Sequence, residues 1–414
     1  MNTEVVFAQR AWRFALSPES GGIVGAEAVA HSAANFLKSI LEFCDWRAGA
    51  VVEPCCAWLR EELASWTPMS VSMFGSGSYY LELPSSDFDV CVMLHAGRNT
   101  NDFMKHLKKL CNESPLFTCT SGPGDTDTYM TKFMSVWVDI RLVKCSRAMD
   151  GACQSSDRMK LLIESRMKLP DFKQRPESVH MFKLFAHKTN ILHRHMTRRG
   201  GKFKAICLCF WAWAVLDGIP PSQTCDDCHL GTPMLTGTLI VTLVEAFRTF
   251  DWANFSVVVA MDTHTRVVRR ATNDGLLAVP ILLDGPGRQT NMASNVTLEH
   301  IGTCRKELRD KNIGTVRGNV AGGLPGGHSH ILAVLQEAAD DQDIDQRTLK
   351  IKVYQKATSA PSPGAAPPVA AVSAALPAAT SAPSPRAAPL VAAVLVPPPA
   401  PKNRPPKKAP ALAS

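Results

Sequence analysis

Two aspartates, Asp87 and Asp89, stand two apart inside the apolar run SSDFDVCVML. Strand side chains alternate between faces, so both carboxylates project the same way, roughly 6.6 Å apart. Like charges at that spacing repel, and Met73 to Leu94 contains no Lys or Arg to offset them. A divalent cation is the usual compensation, and carboxylate oxygens suit Mg²⁺ or Mn²⁺. Upstream lies Gly75-Ser76. Glycine permits a tight strand-to-helix turn with exposed N–H groups and serine adds a hydroxyl, a pair suited to gripping a phosphate. Metal carboxylates held beside a phosphate cradle describe nucleotidyl transfer.

A third acid, Asp139, interrupts the strand-like stretch TYMTKFMSVWVDIRLV between Val138 and Ile140. Such a position is unusual on strand propensity, and a buried acid is costly unless paired or metal-bound. The plainer reading is a surface Asp at a strand end. The elements that must position these acids are legible around them. Ala26 to Phe43 and VVEPCCAWLREELASW (Val51 to Trp66) carry apolar residues at helical spacing, with Pro54 in the first turn of the second helix. That helix runs into the strand MSVSMFGS. Asn101 to Cys111 reads as a short basic helix over the sheet, and Asp171 to Arg199 as a basic helical region. KFKAICLCFWAWAVLDG is apolar all round and must be buried, with Trp211 and Trp213 in the core. Met234 to Trp252 and Leu298 to Lys311 read as further helices, with the strand-like FSVVVAM between them.

The block FGSGSYYLELPSSDFDV resembles the FGS...LPxSDxDL block of noncanonical poly(A) polymerases and terminal uridylyltransferases, members of the polymerase-beta-like nucleotidyltransferase superfamily. The resemblance covers about Val51 to Asp310. It implies an α+β fold, a mixed β-sheet with flanking helices plus a helical second domain. It also implies that Asp87, Asp89 and Asp139 hold Mg²⁺ or Mn²⁺, with Gly75 and Ser76 on the triphosphate. Lys183 falls on a helix resembling the one that directs a lysine at the triphosphate, although a surface lysine fits the same pattern. After Gly200-Gly201 the family has a Ser-Ser-Tyr or similar, and this chain has Phe203-Lys204-Ala205. There Phe203 would replace the stacking tyrosine and Lys204 the hydroxyl contacts to phosphate. VPILLDGPGRQTNMASNVT resembles the family's nucleotide-recognition loop, with Asp284, Pro286 and Asn291 matching and Met292 and Asn295 departing. Asn291 is the candidate reader of a base edge, and an Asx turn is the alternative.

The activity this implies is template-independent addition of A or U to an RNA 3′ end, the RNA hydroxyl attacking the α-phosphate of ATP or UTP. The resemblance leaves room for an RNA-binding partner protein. Two other readings stay open. GSGSYY and DFDV also resemble pieces of the cyclic GMP-AMP synthases, which points to a cyclic-dinucleotide or oligoadenylate synthase-like sensor of nucleic acid. A non-catalytic RNA-binding scaffold is the third, kept open by the altered base-binding residues.

Composition sets the frame. The 414 residues suggest roughly two or three domains. We expect an N-terminal helical extension over 1–50, a catalytic domain over 51–165, a helical central domain over 166–345, and a disordered Pro/Ala/Ser-rich basic tail over 346–414. The tail repeats itself, ATSAPSPGAAPPVAAV from Ala357 and ATSAPSPRAAPLVAAV from Ala379. A net charge of +8 favours an acidic partner such as nucleic acid. The 13 Cys lack a disulfide framework's spacing and read as reduced thiols of a nuclear or cytoplasmic protein. Neither a membrane span nor a secretion signal is expected. Cys225, Cys228 and His229 have a zinc knuckle's bite, but no second Cys-x-x-Cys follows, so incidental thiols in a loop are the default. His187, His193 and His195 point apart on a helix and are read as solvated or RNA-facing.

Overall fold

The structure, a computed structural model, describes residues 3–17, 22–83, 86–95, 99–118, 128–144, 151–169, 171–189, 191–192, 203–219, 232–260, 264–270, 278–285 and 288–314. Cys225, Cys228 and His229, His193 and His195, Gly200-Gly201, Pro286 and the Pro/Ala/Ser tail with its repeat lie outside these residues.

One five-stranded sheet carries the acids. Its strands are β1 (Ser70–Phe74), β2 (Phe88–Leu94), β3 (Phe117–Thr118), β4 (Thr128–Phe133) and β5 (Val136–Lys144), in the order β1-β2-β5-β4-β3. Only β2 and β5 run parallel, so the sheet is mixed. The alternation in the sequence decides which face is buried. Phe88, Val90, Val92 and Leu94, with Val138, Ile140 and Leu142, point to one side. There they meet Cys55 and Leu59 of α3 (Glu53–Glu62) and Phe103 and Leu107 of α4 (Thr100–Glu113). Pro54 lies in the first turn of α3, just after the π-turn residues Ala48–Val52, and Asn99 caps α4 by accepting a hydrogen bond from Asn101 N at 3.0 Å. Full burial of a side chain such as Phe103 contributes about 1.5–3 kcal/mol, which sets the register firmly. The acids are left on the other face.

A second core gathers α1 (Thr3–Ala15), α2 (Gly22–Arg47), α5 (Gly151–Arg166), α6 (Gln174–Lys188), α7 (Ala205–Asp217), α8 (Thr232–Thr249) and α9 (Leu298–Gly314). The helix α7 is enclosed along its length, as its all-round apolar sequence requires, and Trp211 and Trp213 are fully buried. Trp211 packs on Phe182 of α6 and Phe247 of α8 with ring centroids 5.5 and 5.6 Å apart. Gly237 lets α8 cross α2 closely, because a Cβ there would overlap the carbonyl of Ala26. Besides its helices this body has a four-stranded sheet, β7-β6-β8-β9, with β6 at Phe255–Val259, β7 at Thr265–Arg269, β8 at Ile281–Gly285 and β9 at Arg288–Asn291.

The two cores meet along a continuous path. A π-turn, Ala48–Val52, carries α2 directly into α3, so Arg47 stands where the N-terminal helices reach the sheet. Tyr79, Leu81 and Leu83, from the loop before β2, bury into the helical core. No described helix is long and apolar enough to cross a membrane.

Candidate active site

The strand β1 ends at Phe74, and Gly75 turns out of it with φ +69° into a short 3-10 turn, Gly75–Tyr79. That φ lies in the left-handed region, where a Cβ costs about 1–2 kcal/mol. Space excludes a side chain independently, since a Cβ on Gly75 would overlap Oδ2 of Asp89. Phe74 is the register partner of Asp89, which is why the turn begins against that carboxylate. The Gly75 N–H donates to Oγ of Ser156 on α5 at 3.0 Å, and Ser78 Oγ donates to the Gly75 carbonyl at 2.8 Å. The amide expected to face a phosphate is thus engaged by α5. Ser76 is half-buried in the same turn.

The central relation is the register of β2 and β5, in which Asp89 lies directly opposite Asp139. Partners on adjacent strands are about 4.8 Å apart and share a face. Both acids are half-buried, on the face away from α3 and α4. Asp87 is two residues before Asp89 in the segment entering β2, also half-buried. Its Oδ2 and the Oδ1 of Asp139 are screened from solvent.

Among the described residues, no three His, Cys, Asp or Glu side chains close around one point as a metal cage. Mg²⁺ does not need one, because it keeps several waters and takes one or two carboxylates plus substrate phosphates. Two carboxylates in register, with a third one strand step away, fit that requirement, and their hard oxygens suit Mg²⁺ or Mn²⁺.

A buried polar cluster, invisible to the sequence reading, holds the loop that delivers Asp87. Arg47 pairs with the Glu82 carboxylate and donates from Nη1 to the Ser86 carbonyl at 2.6 Å. His180 Nε2 donates to the Glu82 carbonyl oxygen, and Lys183 Nζ donates to the Leu81 carbonyl. Ser86 closes a turn, accepting from Leu83 N at 3.1 Å through Oγ. Leu81, Glu82 and Ser86 are therefore pinned by α2 and α6. Burial and the nearby Lys183 charge push the His180 imidazole down to about 4, so it is neutral at physiological pH. Burial likewise lowers the pKa of Lys183, against the pull of Glu82 and Asp89. Lys183 is buried beneath the loop and is not the surface lysine its helix pattern also allowed. The signals for this cluster are a lone Arg ending an apolar helix and a lone Glu in YLELP.

The remaining expected residues fall elsewhere. Lys204 is exposed at the N-cap of α7. Phe203 corrects the sequence reading: it is fully buried, with ring centroids 5.4 Å from Trp252 and 6.1 Å from Phe247, and has no face to offer a base. The apolar surroundings of α7 draw it inward. The segment read as a recognition loop is the β8–β9 hairpin. Asn291 ends it, and its Oδ1 accepts from Ile281 N at 3.2 Å and Ala293 N at 3.0 Å, leaving the amide nitrogen for any ligand.

No protein-family model and no curated protein sequence matches the chain. Solved structures match it in fold. The mtPAP complex with UTP aligns with a TM-score of 0.50 at 11% identity, over 74% of this chain and 72% of that one. The GLD-2/RNP-8 complex aligns at 0.48 with 12% identity, over 75% and 98%. The Cid1 poly(U) polymerase, with Mg and 3′-dATP bound, aligns at 0.45 with 15% identity, over 68% and 92%. The chain shares its fold with the mtPAP structure.

Proposed function

We propose that this chain is a template-independent RNA nucleotidyltransferase, adding A or U from a nucleoside triphosphate to an RNA 3′ end. The observation that carries the reading is the register of Asp89 with Asp139, beside a glycine that only a bare backbone could place there. In this reading the five-stranded sheet with α3 and α4 is the catalytic body, and the helical core holds substrate against it.

Asp87, Asp89 and Asp139 would hold Mg²⁺ or Mn²⁺, which when bound lowers the pKa of the attacking 3′-hydroxyl and offsets charge on the leaving pyrophosphate. The chain's own contribution is placement. Gly75 fixes where the Asp89 carboxylate stands, and Ser76 offers its hydroxyl to the triphosphate. Lys183 steadies the loop before Asp87 and places positive charge behind it. Lys204 carries an exposed positive charge at the head of α7. Because such transfer depends mainly on positioning and charge neutralisation, loss of one carboxylate removes most of the rate while sparing the fold.

The test is incubation with Mg²⁺ or Mn²⁺, each labelled nucleoside triphosphate in turn and a single-stranded RNA, repeated with duplex nucleic acid and no primer. A ladder of lengthened RNA, lost in Asp139→Asn, is the expected result. A small nuclease-resistant product made only with duplex would transfer the reading to the sensor class. No product in either arm would leave a scaffold.

A further inference from the structure

We propose that Trp137, backed by Lys132, is the platform on which the 3′-terminal base of the single-stranded RNA stacks while its hydroxyl meets Asp89 and Asp139. This rests on the transferase reading and names where its acceptor strand lies.

Trp137 is the one exposed tryptophan among the described residues, and Trp46, Trp58 and Trp66 are partly buried. Trp211, Trp213 and Trp252 are at most 2% exposed, whereas Trp137 is 38% exposed, between Val136 and Val138, which are buried. Two residues before Asp139 on β5, it shares that acid's face, roughly 6.6 Å away along the strand. Its flanks are defined. On one side its register partner on β4, Lys132, sets Nζ 4.7 Å from the ring centroid. On the other side runs β2, where Phe88 pairs with Val138, so the next step of the register brings Asp87 opposite Trp137. The indole therefore lies between a cation and the carboxylate site, with one face engaged by Lys132.

Charge selects the occupant. Three carboxylates repel a polyanion, so an RNA end reaching them needs cations on the same face. Lys132 supplies one beside Trp137, and Arg141 stands two residues beyond Asp139 on β5. An aromatic platform flanked by cations is how proteins hold single strands without reading their sequence, stacking on the base and drawing the backbone along a basic path. The nucleoside triphosphate is the weaker fit. Its expected grip, Gly75-Ser76, extends from β1, and β1 and β5 flank β2 on opposite sides.

The experiment compares Trp137→Ala and Trp137→Phe with the wild-type full chain, after melting curves show each variant folded. Loss of one stacked base raises the KM for RNA about 5- to 100-fold in Trp137→Ala, with the KM for the nucleoside triphosphate unchanged. Trp137→Phe recovers most of that loss. An unchanged RNA KM in Trp137→Ala, or a rise in the triphosphate KM instead, overturns the proposal. Failure of the wild type to extend any RNA defeats the transferase reading by itself. The platform is then judged on Asp139→Asn chain in EDTA, by anisotropy of a labelled single-stranded oligonucleotide. Weakening of about fivefold or more by Trp137→Ala upholds it, and anything smaller removes it.

Discussion

Gly75 and Asp89 are packed so closely that one methyl group on the glycine would occupy the position of the carboxylate's Oδ2. The contact links the end of β1 to the middle of the acid site, and φ +69° at Gly75 makes any other residue strained there as well. Gly75→Ala must therefore shift the turn or swing Asp89 away. The strain of about 1–2 kcal/mol lowers Tm by roughly 2–8 °C in a body of this size. Nucleotide addition should fall at least about 100-fold, as expected when a charged catalytic group is displaced. Near-normal turnover in a folded Gly75→Ala chain would falsify the placement of Asp89 at the reacting centre.

Asp89 and Asp139 stand opposite each other on adjacent strands, a pairing suited to a divalent cation, and this gives a readout independent of turnover. Adding Mn²⁺ or Mg²⁺ should raise the Tm of the wild type, because an ion that binds only the folded chain stabilises it by about 2.7 kcal/mol at a hundredfold excess over its Kd. Asp139→Asn should lose that increment. Thermal melts with and without the ion decide the matter, and an equal metal increment in both chains argues against a cation held by Asp139.

Much of this site was legible in the sequence because its parts are local. The Asp87-x-Asp89 spacing, the Gly75-Ser76 pair and the acid among branched residues at Asp139 each show within a few positions. What spacing does not contain is the register that sets Asp89 opposite Asp139, since the strands are far apart in sequence. The same limit hides the Arg47–Glu82 pair and the cross-strand partnership of Lys132 and Trp137. Phe203 departs from expectation for a different reason: its residue type matches an aromatic position, but the apolar shell of α7, which spacing at Phe203 does not report, decides its burial. The second sheet was half-visible, as FSVVVAM reads as a strand while the Asp and Gly that end β8 read as loop.

The pair Arg47–Glu82 is buried on both sides, and Arg47 also reaches the Ser86 carbonyl, one residue before Asp87. Removing one partner of such a pair strands a buried charge and costs about 3–5 kcal/mol. Arg47→Met should thus lower Tm by roughly 6–20 °C. Nucleotide addition should weaken beyond that loss, because the loop before Asp87 is released. The double variant Arg47→Met, Glu82→Gln should regain part of the stability and little of the rate. Melting and turnover measured on the same samples separate the two effects. A single variant as stable as wild type would show that the pair does not hold the loop.

His180 gives the chain a pH dependence of defined sign. Its Nε2 faces the Glu82 carbonyl oxygen, Lys183 lies nearby, and burial holds its pKa at about 4 against 6.5 for a free imidazole. Between those values the unfolded chain binds a proton that the folded chain refuses. Stability therefore rises with pH from about 4 to about 6.5 and is independent of this group above that window. The full effect is on the order of 3 kcal/mol. Carboxylates add their own slopes, so the informative quantity is the difference between wild type and His180→Gln, whose neutral amide retains a donor toward the carbonyl. That difference should shift in favour of the variant as pH is lowered from about 7 to about 5, and it should be flat above about 7. Melting curves of the two chains that stay parallel across this range would mean that His180 is not held neutral in the folded protein, and that the loop before Asp87 tolerates a second cation beside Lys183.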